Sequence, residues 1–249
     1  GDIGRSLFNG AALVILDRYE RKDPEQILEK LNTERITIFE TTPLVVRWWM
    51  QDDELLSLDY LRLLIVGSDA WKVGEMQKLK KCLPKSLRLL NSYGLSEATI
   101  DNSFYELTED YYSGIVVPIG KSMKHSILSI TNENRIPFPQ GKEGLLCIDG
   151  PCVGNGYFDG KAWSHSSGSW LTADRGVLDE YGNFHFLGRA DKQVKIRGQR
   201  LELQEVESIL VTLLPAVDWM VFDFESGFAS ELAAAFTTFV SEEDLGYVR

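Results

Sequence analysis

The rhythm of hydrophobic and polar positions changes near residue 108. Upstream, compact apolar runs alternate with segments that are apolar on one face only. Residues 11–16 form a short apolar run, and Asp23-Pro24-Glu25-Gln26 then opens a helix. Asp23 can cap it, Pro24 suits its first turn, and Gln26 can reach back to the cap. Ile27, Leu28 and Leu31 give that helix its apolar face. Residues 36–39 read as a strand, Thr42-Pro43 as the next helix start, and residues 61–66 as a buried strand. Residues 73–82 read as a helix and 87–90 as a strand. Strand–helix alternation with continuously apolar strands predicts a parallel sheet covered by helices.

Downstream, short runs at 126–131, 144–149, 176–178 and 184–187 are separated by Gly, Pro and Asn turns. This texture predicts a β-rich subdomain of antiparallel pairs. Leu187-Gly188-Arg189-Ala190-Asp191 interrupts it. Residues 193–197 then read as a strand, 204–214 as an amphipathic helix, and 217–223 and 233–240 as two further strands. The expected organisation is an α/β layer over 1–108, a β-rich part over 109–187, and a small α+β piece over 188–249. No internal repeat or low-complexity segment interrupts this plan.

A chain of 249 residues, at ~150 per domain, holds one to two domains. With 44% hydrophobic and 25% charged residues it is globular in composition, which excludes disorder, collagen and coiled coil. No apolar run approaches the ~18 residues that a membrane helix needs. Lys and Arg number 26 against 37 Asp and Glu, a net charge of −11, and the basic residues are scattered. That balance argues against nucleic-acid and membrane partners. Cys82, Cys147 and Cys152 are odd in number and share no ligand spacing with His125, His165 and His185. Neither a disulfide framework nor a zinc site is expected, and a reducing cytoplasm is the expected location. The start at Gly1, without Met or leader, reads as a cut point.

Three segments carry candidate chemistry. Asn91-Ser92-Tyr93-Gly94-Leu95-Ser96-Glu97 follows a buried strand and precedes an expected helix. Ligands of open α/β sheets bind at that end of a strand. Tyr93 offers a flat face for a base, Ser96 a hydroxyl for phosphate, and Glu97 a hard oxygen for Mg²⁺. Equally, Ser96 could cap a helix, Glu97 complement its dipole, and Tyr93 plug the core. Trp170-Leu171-Thr172-Ala173-Asp174 places a carboxylate at an expected strand-to-turn junction, where it could accept ribose hydroxyls or serve the turn alone. GRADKQVKIRGQRLELQE, residues 188–205, combines a charged bend, an alternating strand, a Gly turn and a charged helix entry. As bare pattern it is also a salt-bridged hairpin.

In order and spacing, these segments resemble the adenylate-forming enzymes, and most closely the amino-acid adenylation domains of nonribosomal peptide synthetases. NSYGLSE resembles the family's adenine- and magnesium-binding turn, WLTAD its ribose-binding segment, and GRADKQVKIRGQRLE its hinge-and-loop motif. GLLCIDG followed by VGNGY resembles a further segment read as structural. The resemblance implies an acetyl-CoA-synthetase-like large-domain segment with the start of a small C-terminal subdomain. Asn91 and Tyr93 would hold adenine, Gly67-Ser68-Asp69 would make a second adenine-contacting turn, and Ser96 would hold phosphate. Glu97 would hold Mg²⁺, Asp174 and Arg189 would bind ribose, and Asp191 would be the hinge. The family makes an aminoacyl-AMP from ATP and an amino acid, then passes the acyl group to a carrier protein's phosphopantetheine thiol.

The resemblance also implies pieces that this chain lacks: a Ser/Thr/Gly-rich phosphate loop, an Asp for the substrate's amino group, and a catalytic Lys expected beyond Arg249. The chain reads as an internal segment, inactive by itself. Its substrate pocket would be walled by Gly1, Glu40, Leu64, Val66, Ser92, Ile100 and Asp101. Two carboxylates in one partly desolvated pocket call for a cation. The set also resembles pockets that choose ornithine or diaminobutyrate, although Val66 stands where those pockets are smaller. Alternatively, Glu40 and Asp101 face solvent or pair with Arg47. An acyl- or aryl-CoA ligase and a non-catalytic docking module, with neighbouring synthetase domains as partners, are the rival functions.

Overall fold

A computed structural model describes residues 2–50, 57–108, 114–158, 163–165, 167–191, 193–196, 199–213, 219–226 and 229–236. Gly1, Arg197, Leu214, Val217 and residues 237–240, which the sequence assigns to the pocket or to element ends, lie outside that set. The chain divides into two units, residues 1–190 and 191–249.

In the first unit, α1 (Asp2–Leu7) is followed by α2 (Pro24–Thr33), β1 (Ile38–Thr41), α3 (Pro43–Trp49) and β2 (Leu63–Val66). Then come α4 (Val73–Cys82), β3 (Arg88–Tyr93), β4 (Ser103–Glu106) and β5 (Lys121–Ser122). The α2 start is built as its sequence predicts. One Asp23 carboxylate oxygen accepts from the backbone N–H of Glu25 and Gln26, and the Gln26 amide donates to the other at 2.6 Å. These hydrogen bonds, led by the Gln26 side chain, hold the Asp23 carboxyl below its usual range. Residues 11–16 form no strand: the run has no ladder partner among the described residues and instead walls a cavity against α2 and β1.

β1, β2 and β3 are parallel, and β4 and β5 continue the sheet antiparallel. Register sorts the side chains: Phe39, Leu64 and Leu89 pair across the strands, as do Thr41, Val66 and Asn91. That face packs on α2, α3 and α4 in a core containing Val46, Trp49, Trp71, Met76 and Leu79. Glu40, Ile65 and Leu90 pair on the opposite face, with Ser92 two residues further along.

The β-rich part contains β6 (Ile127–Thr131), β7 (Gly144–Asp149), β8 (Gly156–Phe158), β9 (Trp163–His165), β10 (Ser169–Leu178) and β11 (Phe184–Arg189). Four of these form an antiparallel sheet in the order β11-β10-β7-β6. Its core joins Leu128, Ile130, Leu146, Ile148 and Phe184 to Leu95 and Ala98 of the 94–101 loop. β10 and β3 run further than apolar pattern predicts. The added residues include buried polar ones whose hydrogen bonds make burial tolerable: Asn91 donates to the Val117 and Pro118 carbonyls, and Thr172 to the Leu146 carbonyl. Asp174 therefore sits inside a strand, not at its turn. No α-helix follows Ser96 either; a single tight turn covers Ser96–Ala98, because Thr99 and Ile100 take φ of 60° and 74° and break helical propagation.

The second unit contains a hairpin of β12 (Gln193–Ile196) and β13 (Gln199–Glu202), then α5 (Leu203–Leu213), then a hairpin of β14 (Trp219–Ser226) and β15 (Ala229–Phe236). Leu203, Leu210 and Val221 are its buried centre, with Val194 and Val206 against them. No helix among the described residues is long and apolar enough to cross a membrane. All three cysteines are free and buried.

Candidate active site

The carboxyl ends of β1, β2 and β3 carry the turns that the sequence singles out. Gly67 follows β2 and donates its N–H to the Thr41 carbonyl at 3.0 Å. A Cβ there would stand 2.3 Å from Ser92 Oγ and 2.9 Å from the Ser92 carbonyl oxygen, so only glycine lets β2 leave the sheet beside β3. Ser68 takes φ of 70°, and Asp69 accepts the Ala70 N–H at 2.8 Å.

At the end of β3, Gly94 lies under the carbonyl of Ile100; an added Cβ would fall 1.4 Å from that oxygen. The loop is tied by Ile100 N–H to the Leu95 carbonyl at 2.9 Å and Asn102 N–H to the Tyr93 carbonyl at 2.8 Å. The Thr99 hydroxyl donates to the Cys152 carbonyl at 2.6 Å, and His125 Nε2 lies 2.9 Å from the Asp101 carbonyl. These ties fix where Ser96, Glu97, Ile100 and Asp101 stand.

Tyr93, Asp174 and Arg189 form one cluster. The Tyr93 hydroxyl donates to Asp174 Oδ2 at 2.7 Å, and Arg189 Nη1 donates to Oδ1 at 2.8 Å. β10 and β11 set the ion pair, since Asp174 and Arg189 face each other in register. The Asp174 N–H donates to Thr172 Oγ1 at 3.0 Å, which fixes the carboxylate's backbone. Asp174 is 4% exposed. Burial, then the Asp174 charge, pushes the Tyr93 phenol well above its usual range, so it stays a donor.

Asn91 spends its amide hydrogens on the Val117 and Pro118 carbonyls and leaves its own Oδ1 buried without a hydrogen-bond partner. Ser96 is exposed at the start of its turn, whereas Glu97 is half-buried and accepts from the Tyr157 hydroxyl. The Gly154 N–H donates to the Glu97 carbonyl at 2.8 Å. Among the described residues no three His, Cys, Asp or Glu groups gather as a metal cage. A single half-buried carboxylate suits Mg²⁺, which takes one or two carboxylates and draws its other ligands from water and substrate phosphates.

The acidic pair is brought together, and not by Arg47. Arg5 of α1 reaches both: its Nη2 stands 2.7 Å from Glu40 Oε2 and 2.7 Å from Asp101 Oδ2. Arg47 pairs with Glu75 instead, at 3.0 Å. Burial, then the neighbouring Asp101 charge, raises the Glu40 carboxyl above its usual range, and Arg5 only partly offsets them. Arg5, Ser92, Ile100 and Asp101 line a cavity of about 590 Å³ with Ile65 and Leu90. Glu40 and Arg5 also line a neighbouring cavity of about 670 Å³, walled by residues 11–16 and α2.

Leu64 and Val66 are not brought to this face. Both are fully buried among the α3 and α4 side chains, because strand alternation turns Ile65 toward the cavity in their place. Asp191 opens the second unit and accepts the Gln193 N–H at 3.2 Å. Sequence reasoning missed Arg5, Thr172 and Tyr157. The Gly156-Tyr157 segment, read as structural, was the available signal for Tyr157; Arg5 has none, since α1 spans only six residues and buries none of them.

Comparison with known proteins adds a family match: the family described as AMP-binding enzyme covers residues 2–158. Tyrocidine synthase 3 of Brevibacillus parabrevis is 35% identical over 225 residues, which are 84% of this chain and 3% of that protein. Delta-poly-L-ornithine synthetase of Acinetobacter baumannii (strain AB307-0294) is 33% identical over 222 residues, 84% of this chain and 16% of that protein. Among solved structures, the Vibrio cholerae adenylation domain AlmE in complex with glycyl-adenosine-5'-phosphate aligns with a TM-score of 0.77 and 26% identity. That alignment covers 92% of this chain and 45% of AlmE. The chain thus spans a small part of the synthases it matches and less than half of the solved domain.

Proposed function

The chain belongs to the AMP-binding enzyme family, and from that premise we propose that it is part of an adenylation domain of a nonribosomal peptide synthetase that activates a basic amino acid. In this reading the amino acid's carboxylate attacks the α-phosphorus of ATP, aminoacyl-AMP forms and pyrophosphate leaves. The acyl group then passes to the phosphopantetheine thiol of a carrier protein, with neighbouring synthetase domains as further partners. The aminoacyl adenylate held by AlmE and the peptide-synthase relatives support the reaction class.

The chain's own residues would act by position and charge. Tyr93 presents its ring to adenine, and Asn91 Oδ1 is the atom left to accept from the adenine amino group. Gly67, Ser68 and Asp69 form the second wall of the base site. Asp174 has further lone pairs for ribose hydroxyls, with Arg189 beside it, and the Ser96 hydroxyl serves a phosphate. Glu97 would hold Mg²⁺, which supplies charge neutralisation on the phosphates. Asp191 would be the hinge for the second unit. The three buried thiols suit a reducing compartment, and we assign the protein to the cytoplasm.

One observation carries the substrate reading: Glu40 and Asp101 converge on a single cationic nitrogen, beside a cavity lined by Asp101, Ser92 and Ile100. A neutral side chain gives that pair nothing, whereas an ammonium makes charge-assisted hydrogen bonds to both. The ornithine polymer synthetase among the relatives points the same way. ATP–pyrophosphate exchange on the intact protein tests it. Ornithine, diaminobutyrate or lysine should exceed leucine and glutamate about a hundredfold, the scale of leaving a polar partner unmatched. Exchange as fast with leucine removes the substrate class, and exchange with simple carboxylic acids alone indicates the CoA-ligase function.

A further inference from the structure

Arg5 Nη2 donates a hydrogen bond to Asp101 Oδ2 at 2.7 Å and stands 2.7 Å from Glu40 Oε2 as an ion pair, so one cationic nitrogen serves both carboxylates. This is the contact set that a primary ammonium would make between Glu40 and Asp101. Arg5 is not locked there. It belongs to a six-residue helix that buries no side chain, and its own side chain is 34% exposed. It also lines both cavities, so the larger one, walled by residues 11–16 and α2, offers the guanidinium somewhere to go.

We propose that Arg5 is a placeholder and specificity-determining residue: its guanidinium holds the seat of the substrate's side-chain ammonium while the site is empty, and a basic substrate displaces it toward the neighbouring cavity. This rests on the basic-amino-acid reading above. Without a cation the two carboxylates would repel across a partly desolvated wall. Asp2 adds a third negative charge near Glu40. With Arg5 seated, a neutral side chain such as leucine faces an occupied site and has no means of vacating it. A diamino acid replaces one cation by another, so only side chains that reach both carboxylates compete. Selectivity then comes from competition as much as from attraction.

Arg5→Met tests this, because it keeps an unbranched stem and removes the charge. Titration calorimetry on the protein should show ornithine binding at least about tenfold more tightly to the variant than to wild type, with leucine changed less than about twofold. n-Butylammonium, which carries no amino-acid group, should raise the Tm of Arg5→Met and leave wild type unmoved. Ornithine affinity equal or weaker in the variant, or no butylammonium effect, overturns the placeholder. Butylammonium stabilisation of the variant without preference for ornithine over leucine in either protein keeps the cation seat and removes the substrate reading instead. Should Arg5→Met not fold, Arg5→Gln takes the same two measurements. It too removes the charge that competes for the two carboxylates, so a gain in ornithine affinity is again expected and its absence overturns the proposal.

Discussion

The Tyr93 hydroxyl and the Asp174 carboxylate meet at 2.7 Å although eighty-one residues of chain separate them. Tyr93 ends β3 of the five-stranded sheet and Asp174 lies within β10 of the four-stranded one, so this hydrogen bond links those two sheets of the first unit. Arg189 completes the arrangement from β11. In the proposed function the carboxylate would fix the ring that adenine stacks on and keep its remaining lone pairs for a sugar, so the proposed base and ribose sites would be coupled through this residue.

That coupling separates two substitutions. Asp174→Asn keeps an acceptor for Tyr93 but removes the charge paired with Arg189, whereas Asp174→Ala removes both interactions. The Ala variant should be less stable than the Asn variant by about 1 to 3 kcal/mol, the scale for a hydrogen bond to a buried group. Urea unfolding of the two variants measures the difference. AMP affinity should fall about tenfold or more in both, and unchanged affinity in calorimetry would remove Asp174 from the ribose site.

Gly94 supports a sharper expectation. A methyl group at this position would overlap the Ile100 carbonyl oxygen at 1.4 Å, and the obstacle is backbone that cannot rotate away. Gly94→Ala should therefore open the 94–101 loop, cost about 3 kcal/mol or more, and weaken nucleotide and amino-acid binding together. Gly74→Ala in α4 is the control, with nothing within 4 Å of the added carbon; it should stabilise by about 1 kcal/mol. Thermal unfolding of both variants checks the pair, and equal shifts would contradict the loop packing.

What could be read from sequence follows physical lines. The α4 boundaries and the Asp23 cap of α2 were legible because amphipathic period and capping chemistry are local. The reach of β3 and β10 was not, since Asn91, Thr172 and Asp174 look like turn residues until the distant carbonyls and side chains that satisfy them are known. Glu40 and Asp101 could be singled out as a pair from their resemblance to a pocket. Their cation could not, because Arg5 lies 96 residues from Asp101 on a helix of six residues that buries none of them. Facing mattered too: Leu64, Ile65 and Val66 are equally apolar, and only the strand register shows which of them meets the cavity.

The Glu40 environment gives a pH dependence with a definite sign. Burial first, and the Asp101 charge second, raise its folded-state pKa above the unfolded value, and Arg5 does not cancel them. A carboxyl raised on folding contributes stability that is full below its unfolded pKa and is lost as pH rises through its folded pKa. Glu40→Gln cannot ionise, so its stability relative to wild type should grow as pH rises from about 4 through the Glu40 transition and then level off. Arg5→Met should carry that transition to higher pH, because it removes the charge that draws Glu40 back down. Urea midpoints of wild type, Glu40→Gln and Arg5→Met, measured at intervals from pH 4 to pH 7, provide the comparison. A difference between wild type and Glu40→Gln that stays flat across the range would show that Glu40 feels neither burial nor Asp101. A transition that Arg5→Met leaves in place would show that the guanidinium does not act on Glu40.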